Sequence, residues 1–413
     1  MNYYKEYDNG LRLVVNKIQG LMSVSIGVLV KTGSRNETEE ENGISHFIEH
    51  VMFKGTSKRS AFEISDYIDR IGAQINAFTS KELTCYYTKS TKEHTEDSIE
   101  VLSDIFFNSL FDKTELEKEK GVVLEEINMS EDTPEDLCLD LIAESYYGKE
   151  GLGRTILGPA KNIKRFTRDD VKKYMDKYYT ADNVVIAIAG NVDFAQAEKI
   201  VEKYFADNFK KRKSAKQVKC EKIFQDKLFK TKKIEQAHIA FAMPGLAIDD
   251  ERADAFAIAN TVFGGGMSSR LFQKVREELG LAYSVYSYPS QYKDNGVLEI
   301  YAGVNTASRD LAAEAIMAEL KRFKADGITE QEFSRGKEQL KSSCIMGRES
   351  TASQMLLSGK YMIYLNKEYD FTERLKRLEK ITLDDVIAVI KDEFDYTKMA
   401  TATVGTARRP IKI

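Results

Sequence analysis

The sequence predicts an α+β protein of two similar domains, each a largely antiparallel sheet covered by helices. Three observations predict this fold class. Strand-like runs come in pairs joined by short polar turns, as in β-hairpins. Blocks of helical pattern separate these pairs, whereas a doubly wound fold would alternate single strands and helices. The same order of elements then occurs twice along the 413 residues, which indicates a duplication.

The first half begins with a strand pattern at the N-terminus, in residues 1–6 and 11–15. A buried strand at 23–31 and a polar loop at 32–42 follow. A helix follows, with Ser45 or Asn42 as its predicted cap and Gly55 as its predicted stop. A second helix, a hairpin, four more helices, a closing strand and a last helix complete the half. They are predicted at about 61–71, 73–79, 83–90, 93–108, 114–132, 134–147, 168–178, 183–190 and 194–205.

The second half repeats this order. It opens with a strand at 237–243, has a glycine-rich turn at 264–266 and closes with a strand at 399–404 that resembles the closing strand of the first half. Two helices, a hairpin and five further helices lie between the opening and closing strands. They are predicted at about 250–263, 268–279, 282–289, 296–304, 307–325, 329–348, 351–364, 369–379 and 382–393.

A basic run at 210–216 lies between the halves and allows two interpretations, a nucleic-acid patch or a solvated linker. It contains no interleaved aromatic residues, which stacking on bases would require. We therefore predict a basic linker at 209–218 between a first domain, 1–208, and a second homologous domain, 219–413.

Composition argues against several partners and compartments. The net charge is −4, from 61 basic and 65 acidic residues, so electrostatics gives no reason to expect nucleic acid or an anionic membrane as a partner. No apolar run approaches the roughly 18 residues that span a bilayer. The N-terminus lacks the apolar segment of a signal peptide, and the four cysteines form no C-x-x-C pair. We expect a cytoplasmic protein with reduced thiols.

The most informative local pattern is H-x-x-E-H, formed by His46, Glu49 and His50. Residues four apart lie one turn apart on the same face of an α-helix. Two imidazoles on one face with a nearby carboxylate are what a catalytic zinc site needs, and this order is the inverted zincin motif. The pattern predicts one zinc ion per chain. The alternative is an ordinary helix with two incidental histidines.

A catalytic zinc site usually has three protein ligands and one open position. The remaining histidines, His94 and His238, lie in a polar helix start and in a strand of the other half, so a carboxylate is the better third candidate. The acidic helix predicted at 114–132 offers several. Glu119 and Glu126 share a face because they are seven residues apart, but periodicity alone does not choose between the acids.

The segment 46–56 resembles the motif of the pitrilysin and mitochondrial processing peptidase family. The acidic block 117–126 resembles a second motif of that family. This resemblance implies a processing-peptidase-like metallohydrolase fold, with Glu126 as the third zinc ligand and Glu119 as an acidic residue that supports the site. Glu125 stays open as an alternative ligand, one residue away.

Two further matches extend the resemblance. Asn76, Ala77 and Phe78 match the family's substrate-binding edge strand, which pairs with an extended peptide. Arg276 and Tyr283 match an arginine and a tyrosine that complete the active site from the non-metal domain. Taken alone, they would indicate a helix salt-bridge partner and a half-buried strand residue.

The resemblance implies a zinc-dependent endopeptidase that cleaves extended or unfolded peptides inside a closing chamber. Glu49 would be the general base that activates zinc-bound water, and Arg276 and Tyr283 would bind substrate carbonyls or the oxyanion. A two-domain chain that carries both halves of the site suggests a homodimer with sites completed in trans. The alternatives are a non-catalytic scaffold or partner subunit of a heterodimeric processing peptidase, a structural zinc protein, and an obligate heterodimer.

Overall fold

The computed structural model describes residues 2–209, 213–220 and 222–412. They form two compact units, each assembled from three stretches of sequence. Unit 1 comprises Met1–Ile127, Thr155–Val218 and Ile345–Asp370; unit 2 comprises Asn128–Arg154, Lys219–Cys344 and Phe371–Ile413. This division differs from the contiguous domains predicted at 1–208 and 219–413. Within the predicted linker at 209–218, residues 210–212 lie outside the described residues.

Unit 1 is built on a six-stranded sheet with the order β1-β2-β6-β3-β5-β4. Neighbouring strands in this sheet are antiparallel, except that β2 and β6 run parallel. Strand β4 forms one edge of the sheet and pairs with β5 alone. The strands are β1 (Asn2–Glu6), β2 (Arg12–Lys17), β3 (Ser23–Val30), β4 (Gln74–Thr79), β5 (Thr84–Thr91) and β6 (Val184–Gly190).

Unit 2 repeats this topology with five strands in the order β7-β11-β8-β10-β9. It matches the order β2-β6-β3-β5-β4 strand for strand, including one parallel pair, β7 with β11. The predicted α+β class and the duplicated, largely antiparallel sheets are confirmed. The strands are β7 (Lys227–Thr231), β8 (Gln236–Gly245), β9 (Ala282–Gln291), β10 (Gly296–Asn305) and β11 (Ala400–Gly405).

The helices follow the predicted order in both halves. The first half contains α1 (Ile44–Val51), α2 (Ala61–Arg70), α3 (Thr95–Asn108), α4 (Lys113–Asp132), α5 (Pro134–Tyr147), α6 (Ala160–Arg165), α7 (Arg168–Tyr178) and α8 (Phe194–Tyr204). The second contains α9 (Ala253–Phe263), α10 (Arg309–Asp326), α11 (Glu330–Gly347), α12 (Thr351–Leu365), α13 (Phe371–Lys380) and α14 (Leu383–Glu393). A π-helix, Phe272–Glu278, replaces most of the α-helix predicted at 268–279.

The discontinuous units arise because each sheet buries both of its faces. In unit 1, alternate residues of β6 contribute to two apolar clusters, and the second cluster includes Met355 and Met362 of α12. In unit 2, residues of α5 such as Ile142 lie in a cluster with alternate residues of β8 and β11. A helix distant in sequence therefore covers the second face of each sheet, which the order of elements could not predict.

The described helices include none that is both long enough and apolar enough to cross a lipid bilayer.

Candidate metal centre

Helix α1 carries the H-x-x-E-H motif on the side that faces away from the core of unit 1. The opposite side of the helix is apolar and fully buried, as the sequence predicts, and this packing sets the rotation of the helix. The histidine side chains are largely buried, with exposed fractions of 13% for His46 and 16% for His50. The buried apolar residues are Ile44, Phe47, Ile48, Val51 and Met52.

The N-terminus of α1 is capped differently from the sequence prediction. The N-cap residue is Gly43, whose φ of 98° requires glycine, and neither Ser45 nor Asn42 caps the helix with its side chain. Instead, the buried carboxylate of Glu37 accepts hydrogen bonds from the backbone N–H groups of Gly43 and Ser45, both at 2.8 Å. Asn42 also donates to Glu37, at 2.9 Å. Burial raises the pKa of Glu37, and these bonds oppose that rise.

Glu126 of α4 meets the two histidines of α1. Its Oε2 atom lies 3.6 Å from Nε2 of His46 and 3.4 Å from Nε2 of His50, and the two Nε2 atoms are 3.3 Å apart. We call these three atoms the donor cluster. Across the part of the chain that the structure describes, it is the one group of histidine, cysteine and acidic side chains close enough to share a metal ion. Glu125, the alternative ligand, is exposed.

The spacing of the donor cluster fits a zinc ion. Tetrahedral zinc with bonds of about 2.0–2.1 Å would hold its ligand atoms about 3.3–3.4 Å apart. The three observed separations, 3.3, 3.4 and 3.6 Å, are close to that value. Two imidazole nitrogens and a carboxylate oxygen also match the ligand types that catalytic zinc prefers, and three ligands leave a fourth position open.

Glu119, also on α4, orients His50 by contacting the ring nitrogen that lies outside the donor cluster. Its Oε1 atom lies 3.0 Å from Nδ1 of His50, and its Oε2 atom lies 2.8 Å from Nζ of Lys54. With the Nδ1 proton donated to Glu119, the lone pair of Nε2 is directed into the donor cluster. Glu119 is 5% exposed, so Lys54 supplies the charge that a buried carboxylate needs. Sequence analysis did not identify Lys54, because the contact depends on how α4 packs.

Burial keeps His46 neutral. Its Nδ1 atom is buried and has no hydrogen-bond partner among the described residues. Loss of solvation, with a smaller effect from the charge of His50, lowers the pKa of His46 to about 4. At neutral pH the imidazole therefore keeps a lone pair available for a metal ion.

Glu49 lies beside the donor cluster and points toward the end of β4. Thr79, the last residue of β4, donates a hydrogen bond from Oγ1 to Oε2 of Glu49 at 2.6 Å. Burial raises the pKa of Glu49, while the Thr79 hydrogen bond and the charge of His50 oppose the rise. A carboxylate whose pKa is raised toward neutrality is suited to accept and return a proton.

The predicted substrate residues Asn76, Ala77 and Phe78 lie in β4, at the open edge of the sheet. The backbone N–H of Ala77 donates to the side-chain oxygen of its neighbour Asn76, at 2.8 Å, and not to another strand. An edge strand with an N–H group directed outward is able to pair with an extended chain.

Arg276 and Tyr283 lie in unit 2, next to each other. Arg276 belongs to the π-helix, and its guanidinium lies 4.7 Å from the ring centre of Phe272 and 5.3 Å from that of Tyr283. Tyr283, at the start of β9, is 75% exposed, so its interpretation as a half-buried strand residue is wrong. Exposure of a large aromatic ring next to a cation is typical of binding surfaces.

The other two histidines are outside the donor cluster. His94 pairs with Asp97 at 2.8 Å on the surface of unit 1. His238, in β8 of unit 2, contacts the hydroxyl of Tyr301 at 2.6 Å.

Two sequence models of one peptidase family match the chain. Residues 13–160 match the family described as insulinase, peptidase family M16, and residues 165–340 match a domain described as the peptidase M16 inactive domain. All three residues of the donor cluster lie within the first match.

Two bacterial proteins are similar over most of their length. A Bacillus subtilis protein named uncharacterized zinc protease YmxG is 46% identical over 390 residues, which cover 94% of this chain and 95% of that protein. A Streptomyces coelicolor protein named uncharacterized zinc protease SCO5738 is 38% identical over 93% of this chain and 85% of that protein.

Two solved structures share the fold. A protease from Helicobacter pylori has a TM-score of 0.90 at 24% identity and covers 98% of this chain and 99% of its own. A peptidase M16 inactive domain from Pseudomonas fluorescens has a TM-score of 0.91 at 19% identity and covers 100% of both chains. The family matches and the relatives confirm the resemblance drawn from the motifs: this chain belongs to peptidase family M16, the pitrilysin family.

Proposed function

We propose that this protein is a zinc-dependent endopeptidase that cleaves extended or unfolded peptides. The observation that carries the proposal is the donor cluster, in which His46, His50 and Glu126 meet at zinc-like spacing with Glu49 beside them. Membership of a peptidase family and two relatives named zinc proteases support it.

The three residues of the donor cluster would hold one zinc ion per chain. When bound, zinc supplies Lewis acidity, which polarises a scissile carbonyl and makes water more acidic. His50 is kept in the required tautomer by Glu119, and His46 is kept neutral by burial. Glu126 contributes the negative charge that a divalent cation requires.

Glu49 acts as the proton carrier. Its Oε2 atom is engaged by Thr79, which leaves Oε1 to take a proton from the attacking water. The oxygen of that water bonds to the peptide carbon, and Glu49 then returns the proton to the amide nitrogen as the C–N bond breaks. One water is consumed, and a carboxylic acid and an amine are released; the acid then gives its proton to the amine, which leaves a carboxylate and an ammonium group.

Substrate binding by strand addition at β4 explains why extended peptides are favoured. A peptide paired with Asn76, Ala77 and Phe78 would lie along the strand that ends at Thr79, next to Glu49. Folded proteins have few free strands to offer, so they would be poor substrates.

Arg276 and Tyr283 would bind substrate carbonyls or the oxyanion from the second domain of a partner chain, inside a closing chamber. Tyr283 is 75% exposed and the Arg276 side chain is 39% exposed, which supports this role because a side chain that serves a neighbouring chain has to be accessible. We therefore propose a homodimer with sites completed in trans.

The primary test is cleavage of a peptide library by the purified protein. We expect cleavage that a chelator abolishes and added zinc restores. A protein that binds zinc, folds and cleaves no peptide would instead be the non-catalytic partner subunit of a heterodimer.

Replacement of Glu119 with Gln should weaken zinc binding by about 10- to 100-fold, because the carboxylate that orients His50 is lost. The matched control is Glu117→Gln on the same helix, since Glu117 is exposed and its carboxylate pairs, within the described part of the chain, with Lys120 alone. Competition with a calibrated chelator measures both affinities. Equal zinc affinity in the two variants would contradict a supporting role for Glu119.

Mixtures of Glu49→Gln and Arg276→Ala chains should recover activity if sites form in trans. In a mixed dimer, one of the two sites combines an intact Glu49 with an intact Arg276 from the partner chain. Random exchange of equal amounts makes about half of the dimers mixed, so about a quarter of wild-type activity should return. Two affinity tags verify that subunits have exchanged. Activity no higher than that of the separate variants, with exchange verified, would show that the site is not completed in trans.

A further inference from the structure

One hydrogen bond joins the proposed peptide-binding strand to the proposed general base. Thr79 Oγ1 donates to Glu49 Oε2 at 2.6 Å, from the last residue of β4 to the last turn of α1. Among the described residues, Thr79 is the one hydrogen-bond partner of the Glu49 carboxylate. The orientation of this carboxylate therefore depends on a strand residue that neither the motif nor the family resemblance singled out.

Thr79 is itself held firmly. Its backbone pairs with Thr84 of β5, and the next residue, Ser80, closes the turn through a 2.7 Å bond from its backbone N–H to the carbonyl of Leu83. The Ser80 hydroxyl also contacts the Leu83 carbonyl, at 3.0 Å. A β-branched side chain on a strand has few rotamers, so the Thr79 hydroxyl occupies a defined position.

We propose that Thr79 is a positioning residue for Glu49. A hydroxyl has one proton to donate, and the bond to Oε2 both fixes the carboxylate rotamer and leaves Oε1 directed toward the reaction. The same strand would pair with the peptide, so substrate and base share one rigid support. This inference rests on the proposed peptidase function.

Thr79→Val and Thr79→Ser separate this role from a structural one. Valine has the shape of threonine and an equal preference for strands but no hydroxyl, so a purely structural role predicts no change. Serine keeps the hydroxyl and should rescue activity. Thr91→Val, at the exposed end of β5, is the matched control.

The experiment measures kcat and KM on a quenched fluorescent peptide, with zinc content and thermal unfolding for each variant. We expect kcat of Thr79→Val to fall about 10- to 100-fold, which is the effect of a lost hydrogen bond to a charged group. For Thr79→Val, KM and zinc content should stay within about twofold of the wild-type values. For Thr79→Ser, kcat should stay within about threefold of the wild-type value.

A second measurement isolates peptide binding. Thr79→Val is placed in the Glu49→Gln background, and peptide affinity is measured by fluorescence anisotropy; the affinity should be unchanged. A wild-type kcat for Thr79→Val, or a loss confined to KM or to this affinity, would overturn the inference while leaving the peptidase proposal intact. Absence of cleavage by the zinc-loaded wild type would instead remove the peptidase proposal itself.

Discussion

Replacement of Glu49 with Gln is expected to abolish turnover and leave zinc in place. Glutamine has the same shape, and its carbonyl oxygen accepts the hydrogen bond from Thr79, but it cannot take a proton from water. General base catalysis typically contributes a factor of about 10² to 10⁴, and loss of that factor defines the expected fall in kcat.

In the zinc-free form, the same variant should fold at least as well as the wild type. Burial raises the pKa of Glu49, which means that the folded protein disfavours the charged carboxylate. A carboxyl group whose pKa is higher in the folded than in the unfolded protein lowers the free energy of unfolding as the pH rises through its pKa in the unfolded chain. A neutral side chain removes that cost. After removal of zinc from both proteins, the thermal midpoint of Glu49→Gln at neutral pH should therefore equal or exceed that of the wild type.

Zinc content, thermal unfolding and single-turnover kinetics check these expectations together. Glu39→Gln serves as the control, because Glu39 lies on an exposed loop and, among the residues that the structure describes, its carboxylate pairs with exposed Lys161 alone. Normal turnover by a zinc-loaded Glu49→Gln protein would remove Glu49 from the reaction.

The second large effect concerns the third zinc ligand. Glu126→Ala should lose zinc and activity, whereas Glu125→Ala should keep both, although the two residues are adjacent in sequence. The reason is geometric: Glu126 lies 3.4–3.6 Å from both imidazole nitrogens, and Glu125 is exposed. Loss of a direct ligand should weaken zinc binding by more than the roughly 100-fold limit for supporting residues.

Equilibrium dialysis against buffered zinc measures this difference, with His50→Ala as a second ligand variant that should also lose the metal. The Glu125→Ala control removes a similar negative charge, so a general electrostatic effect would appear in both variants. If Glu125→Ala loses zinc and Glu126→Ala retains it, the assignment of the donor cluster is wrong.

Much of the fold was predictable because its signals are local. Hairpin turns, helical periodicity and the repeated element order placed most strands and helices within a few residues of their observed bounds. The exceptions have physical reasons. Helix α6 has only six residues, and β7 is a mostly exposed edge strand, so neither shows a clear hydrophobic period. The π-helix carries no distinguishing composition.

The sequence by itself determined the fold class and the pairing of His46 with His50, because residues four apart on a helix must share a face. Helical periodicity did not choose among the acids of α4, and the family resemblance pointed to Glu126 with Glu125 left open. The tertiary structure brings Glu126 to the two histidines, because the packing of distant side chains sets how α4 is rotated against α1. The same holds for α5 and α12, which complete sheets far from them in sequence. Local periodicity shows which faces are apolar, but it does not show which partner buries them.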